Sequence, residues 1–151
     1  RRVCGLLESS PEFSVTFNYS LTLAEMIQAG HYDWVNNDIT AEHFPVNGEG
    51  EVELEAQLVH FNRGMESDDV LKELDKKSLR PGTLPELLAF GAKHPDIQRQ
   101  FPIIALGSVW QDRLGHRYVA GLWCYARKRV LYLFCYGDEW RGRYRFLAFR
   151  K

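Results

Sequence analysis

The sequence holds three cysteines, and no apolar run in it approaches the ~20 residues that cross a bilayer. Cys4, Cys124 and Cys135 are odd in number and lack CxxC spacing, which excludes both a disulfide framework and a structural zinc site. A Cys124–Cys135 bridge across a hairpin is conceivable, but reduced side chains in a cytosolic protein are the preferred reading. The N-terminus has no signal-like apolar segment. Since the chain starts at Arg1 rather than Met, a missing native start is allowed for, and cysteine usage alone favours the cytoplasm. There is no Gly-rich phosphate loop, nucleophile elbow or HExxH. The histidines, His31, His43, His60, His94 and His116, are scattered without an i,i+4 pair, so neither a metal nor a cofactor is expected.

With 151 residues and 45% hydrophobic content, the chain is long enough to bury a real core, and disorder is excluded. One domain over residues 1–151 is expected: a lead-in at 1–12, strands and helices over 13–78, and a C-terminal core over 79–151. The net charge of −1 conceals an asymmetry. From Gly107 onward there are ten Lys/Arg against three Asp/Glu, leaving nine against seventeen before it, so the tail is +7 and the rest −8. A basic tail rich in Tyr and Trp has the chemistry of a nucleic-acid face, where cations meet phosphate and rings stack on bases. The bland alternative is that the surplus pairs with the acidic N-terminal part.

Phe13, Val15, Phe17 and Tyr19 alternate along one side of a strand. Thr22 and Glu25 have capping-box spacing, and Gly30 can close the short helix between them and itself. Residues 31–47 read as a polar, loop-rich stretch anchored by Trp34, Val35, Ile39 and Phe44. Residues 51–61 alternate acid with apolar residue, turning Val52, Leu54, Ala56 and Leu58 inward and a solvated acidic face outward. Ser67 is expected to cap a helix whose buried stripe is Val70, Leu71 and Leu74. A turn at Arg80-Pro-Gly82 leads to a second capping box, Thr83 with Glu86, and an apolar face of Leu84, Leu87, Leu88 and Phe90. Pro102 to Leu106 is a continuous apolar run, expected as a buried strand. Beyond it come strands over 117–125, 130–136 and 144–150. The fold class is α+β: helices packed on small antiparallel sheets, with a C-terminal strand-and-loop face. No repeat, low-complexity tract or linker interrupts it.

Within the run Arg129 to Tyr136, alternation sets Leu131, Leu133 and Cys135 on one face and Tyr132, Phe134 and Tyr136 on the other. Both faces are apolar, which a half-solvated strand avoids. Leu131 and Leu133 claim the core, so the aromatic set is expected to be exposed. Tyr118, Trp123, Tyr125, Trp140 and Tyr144 crowd around it, interleaved with Arg127, Arg129, Arg141 and Arg143. Tyr, Trp and Arg are the residue types that dominate interface energetics. Trp110, Phe146 and Phe149 are assigned to the core. An enzyme would need the carboxylates Asp33, Asp38 and Glu42 in one pocket, but turn and capping roles suit them better and no activity is expected.

Leu79-Arg-Pro-Gly-Thr-Leu-Pro-Glu-Leu-Leu-Ala-Phe90, then Gly107-Ser-Val-Trp110, then Tyr144-Arg-Phe-Leu-Ala-Phe-Arg-Lys151 resemble a C-type lectin fold of the formylglycine-generating-enzyme-like branch. That branch carries a capped helix of the type R-L-P-T-x-x-E-W-E, a Gly-Ser-Trp segment and a last strand of the type G-F-R. Within it the chain resembles a variable protein of a diversity-generating retroelement, over about residues 79–151. The resemblance implies that a reverse transcriptase mutates template adenines, scattering codons such as AAC at surface positions of region 107–151. It further implies binding of an unidentified ligand, with protein favoured over nucleic acid, through a hypervariable face. Positions that fit such replacement are His116, Tyr118, Tyr125, Tyr132, Phe134, Cys135, Gly137, Asp138, Arg141, Arg143 and Tyr144; Trp123, Tyr136 and Trp140 complete the expected binding set. Trp123 and Glu139 cannot come from an AAC codon. The Glu-Pro-Asn and Trp-Asn-Asp calcium motifs of sugar-binding lectins are absent, so calcium and carbohydrate are not implied.

Overall fold

In chain order, the elements of the computed structural model, which describes residues 12–151, are β1 (Glu12–Asn18), α1 (Leu23–Ala29), β2 (Trp34–Val35), β3 (Glu51–His60), α2 (Ser67–Lys76), β4 (Leu79–Pro81) and α3 (Leu84–Lys93), then β5 (Ile103–Gln111), β6 (Arg117–Tyr125), β7 (Lys128–Cys135) and β8 (Arg145–Arg150). A single 3-10 turn, Ile97–Arg99, separates α3 from β5. The expected lead-in lies outside the described residues except for Glu12, which already belongs to β1.

All eight strands join one sheet in the order β1-β3-β8-β5-β6-β7-β2, with β4 added beside β8. Among the described residues the arrangement is therefore mixed α/β, three helices on one eight-stranded sheet, rather than helices on several small antiparallel sheets. Two pairings, β5 with β8 and β2 with β7, are parallel. Parallel partners are joined by long crossovers and leave no hairpin signal in the sequence, which is why the single sheet was not legible there. The expected turn at Arg80-Pro-Gly82 is also corrected. Leu79–Pro81 pairs with Arg150–Ala148, and Pro81 ends the strand, where a missing N–H is tolerated.

On the first face of the sheet, the apolar side of α3 buries Leu84, Leu87, Leu88 and Phe90 against Ile103, Leu122, Leu131 and Leu147. Both capping boxes form, Thr22 with Glu25 and Thr83 with Glu86, and Gly30 is the C-cap of α1. Arg129 ties β7 to these helices. Its buried guanidinium donates to the Gly30 carbonyl at the end of α1, to the Gly91 carbonyl in the last turn of α3 at 3.0 Å, and to Gln98 Oε1 at 3.2 Å. A cation here satisfies orphan carbonyls at two helix C-termini at once.

On the second face, α2 seats Val70 and Leu74 over Val59, Ile104, Phe146 and Ala148, with Leu71 half-buried. Ser67 is not the cap of this helix; Glu66 is, without a side-chain bond. The Ser67 hydroxyl instead donates to the Tyr136 carbonyl at 2.6 Å and accepts from Trp140 Nε1 at 2.8 Å. A helix from the middle of the chain thereby pins the C-terminal loop across the second face.

The three stretches that carry the family resemblance meet at one node. The Gly82 N–H donates to the Leu147 carbonyl, and the Gly107 N–H to the Gly82 carbonyl, both at 2.7 Å. The Leu84 N–H at the start of α3 donates to Ser108 Oγ at 2.8 Å. Arg80 grips the buried Glu86 carboxylate with both terminal nitrogens, at 2.7 and 2.9 Å, and lies over the Phe149 ring. A Cβ at Gly107 would stand 2.5 Å from the Gly82 carbonyl oxygen, so this close approach demands glycine. The β5–β6 register shifts between Ile104 and Val109, the stretch that holds Gly107 and Ser108. The node joins β4, β5, β8 and the start of α3.

Candidate functional site

The second face is covered unevenly. Toward β8, α2 and the loop after β7 bury it; toward β2, nothing among the described residues covers it. Along β7 this divides the aromatic set. Tyr132 is 37% exposed, Phe134 is half-buried, and Tyr136 is 6% exposed with its hydroxyl donating to Asp68 Oδ1 at 2.8 Å. Trp140 is 1% exposed. Tyr136 and Trp140 are therefore core residues, correcting their place in the expected binding set. Both are buried because α2, remote in sequence, lies over them.

What remains open is a row of rings on one corner of the sheet. Trp34 on β2 lies 6.0 Å from Tyr132 on β7, Tyr132 5.8 Å from Trp123 on β6, and Trp123 5.6 Å from Tyr125. Trp34 is 48% and Tyr125 64% exposed, with Trp123 half-buried between them. The register explains the row: Trp34 and Trp123 both pair with Val130, placing their side chains on one face. Phe134 closes the row against Trp140 and Tyr144, its ring lying across Gly121, where a Cβ would come within 2.6 Å of it. Exposed Arg127 and Lys128 flank the row at the hairpin turn. Trp34, expected as an anchor of a loop-rich stretch, instead lies on a short strand with its ring exposed. Its pairing with β7, far away in the chain, carries no local signal.

The other expected site residues fall elsewhere. Tyr118 pairs with Cys135, which sets both on the first face, the opposite side from Tyr132. Tyr118 lies 5.3 Å from Trp110, which is half-buried rather than core and stacks on His43 at 3.9 Å. The Tyr118 hydroxyl donates to Asp112 at 3.3 Å and His116 approaches the same carboxylate at 3.4 Å. Burial first, then the Asp112 charge, push the Tyr118 hydroxyl up from its ordinary value. Asp138, Arg141 and Arg143 are exposed in the loop between β7 and β8, with Arg143 donating to the Gln100 carbonyl and half-buried Tyr144 packed on Phe134.

The carboxylates that an enzyme would need in one pocket lie at the surface. The Asp33 carboxylate accepts the Arg129 backbone N–H at 2.8 Å, the Asp38 backbone is held by Asn36 and His43, and Asp33, Asp38 and Glu42 are all exposed. Burial and then Asp138 push the Cys135 thiol up, opposite to the lowering that a nucleophilic thiolate needs. Cys124 and Cys135 are free; Cys124 pairs with Arg129, six residues before Cys135, so the two lie roughly 20 Å apart along the hairpin and cannot bridge. Among the described residues no group of three His, Cys, Asp or Glu could hold a metal ion, and no helix is long and apolar enough to cross a membrane. No family model, curated protein or solved structure matches the chain.

Proposed function

We propose that this chain is a non-enzymatic binding protein that meets a protein ligand with the aromatic corner of β2, β6 and β7, on a C-type lectin-like scaffold diversified by a retroelement. The carrying observation is the continuous uncovered row Trp34, Tyr132, Trp123 and Tyr125 on strands whose opposite face is core. Contiguous exposed apolar surface of this kind marks interaction sites, and Tyr and Trp supply rigid contact area with a polar tip. Tyr125 and Tyr132 are the replaceable members, while Trp34 lies outside region 107–151 and stays constant. Two further details suit blind diversification: Cys135 is exposed and free, and the Ala126–Arg127 turn adopts a left-handed backbone without glycine or asparagine.

The genomic neighbourhood tests the class. A reverse transcriptase beside a near-copy of the DNA encoding residues 107–151, differing only at adenines, is the expected finding. Exposed Arg127 and Lys128 beside the rings favour nucleic acid as the second reading. Oligonucleotide binding with a steep salt dependence would support it, and no binding at low salt removes it.

A further inference from the structure

At the opposite end of the sheet, β1 pairs among the described residues only with β3. The Tyr19 N–H donates to the Gly50 carbonyl at 2.9 Å, and alternation from that bond turns the backbone groups of Phe13, Val15 and Phe17 toward β3 and those of Ser14, Thr16 and Asn18 outward. The Ser14 carbonyl confirms the direction, since it accepts from the Lys93 ammonium outside the sheet. The N–H and C=O of Thr16 have no bonding partner among the described residues. Such an edge is a template for another strand.

Beside this edge runs a groove of about 320 Å³ between β1, α1 and α3. Phe17, Met26, Ala29, Leu88 and Ala92 make it apolar, and Lys93 stands at its rim. The other face of the β1–β3 pair is acidic, with exposed Glu51, Glu53 and Glu55 along β3 and Glu12 on β1. Glu12 is paired to Arg150 at 3.0 Å; the three β3 acids have no cationic partner among the described residues. A strand added to β1 would thus send alternate side chains into two chemistries, an apolar groove on the first face and carboxylates on the second.

We propose that the β1 edge captures an extended segment of a partner protein by strand addition, and that this segment alternates apolar with basic residues. Backbone bonds to Thr16 and to the outward N–H groups of Ser14 and Asn18 supply the pairing, the groove takes the apolar side chains, and Glu53 and Glu55 attract the Lys or Arg side chains. A second copy of this chain does not supply such a segment, because on the acidic face its own β1 presents Ser14, Thr16 and Asn18 and no Lys or Arg. This surface is independent of the aromatic corner.

The test titrates blocked peptides Lys-Val-Lys-Leu-Lys-Val-Lys and Glu-Val-Glu-Leu-Glu-Val-Glu into the isotope-labelled full chain. The lysine peptide is expected to shift the Ser14, Thr16, Asn18 and Ala92 amides, and the glutamate peptide to bind at least about tenfold more weakly. Thr16→Pro removes an outward N–H while leaving the β3 ladder intact, and Ala92→Glu places a charge in the groove; each is expected to weaken the lysine peptide about tenfold. Shifts confined to the Trp34 and Tyr132 corner, equal binding of the two peptides, or unchanged affinity in Ala92→Glu would overturn the proposal. A dimer dissolved by Thr16→Pro would also overturn it, since a second copy would then hold the edge. If Thr16→Pro fails to fold, Ala92→Glu decides.

Discussion

The Trp34 and Tyr132 rings lie 6.0 Å apart across the parallel β2–β7 pair, so a residue from the N-terminal half completes a surface built by the C-terminal hairpin. A tilted ring pair at this separation contributes about 0.5–1.5 kcal/mol beyond the area it buries. A double-mutant cycle with Trp34→Ala and Tyr132→Ser, read by urea unfolding, is expected to give a coupling energy in that range. A coupling near zero would mean that the two rings do not act as one surface.

Ser67 bonds two groups of the C-terminal segment through one hydroxyl. Ser67→Ala leaves the Tyr136 carbonyl and the Trp140 N–H unpaired in a buried site and should cost about 1–3 kcal/mol. Trp140→Ala, which opens a cavity, should cost about 3–5 kcal/mol. Chemical denaturation of both variants checks the order.

Tyr32 is wedged between Gly30 and Gly91, where a Cβ at either glycine would overlap its side chain, with the Arg129 guanidinium 4.7 Å over its ring. Its hydroxyl has no partner, and burial pushes its pKa up to about 12, against the opposing pull of Arg129. The unfolded chain therefore gives up this proton first. The stability tied to the protonated form is complete below pH 10 and falls as the pH rises from 10 to about 12. Tyr32→Phe is expected to flatten the decline of unfolding free energy in that window and to be near neutral below it, since it also removes an unpaired buried hydroxyl. An unchanged slope would place the titrating group elsewhere.

The β6–β7 turn has φ of 50° at Ala126 and 70° at Arg127. This is the left-handed pair that Asn-Gly fills without strain, and each non-glycine residue there costs about 1 kcal/mol. Ala126→Asn with Arg127→Gly should raise the urea midpoint by the equivalent of about 1–2 kcal/mol. A lowered midpoint would show that the Arg127 side chain contributes more than its backbone costs.

Local chemistry made much of the fold readable. Both capping boxes, the α3 apolar face, the alternation of β1, that of β3 except for the exposed Val52, and the inward set Leu131 and Leu133 are patterns complete within a few residues. What escaped the sequence depends on partners far away in the chain. Alternation puts Tyr132, Phe134 and Tyr136 on one face but cannot say that α2 returns to cover the last of them. Ser67 has the look of a cap, yet its hydroxyl is taken by groups about 70 residues away. The Pro-Gly pair masked β4, whose strand partner is the last strand. Of the candidate site, Trp123, Tyr125 and Tyr132 were legible, and Trp34 was not, because a lone Trp in a polar stretch more often packs inward.

Urea unfolding of the triple variant Trp34→Ser, Tyr125→Ser, Tyr132→Ser beside Trp140→Ser tests the central claim, that the aromatic corner is exposed surface laid over a fixed scaffold. Exposed rings contribute little to folding, whereas truncating one buried large aromatic costs about 3–5 kcal/mol. The predicted result is a folded triple variant that loses less stability than the single Trp140→Ser change. A triple variant that loses more than Trp140→Ser would place the row in the core and contradict the account.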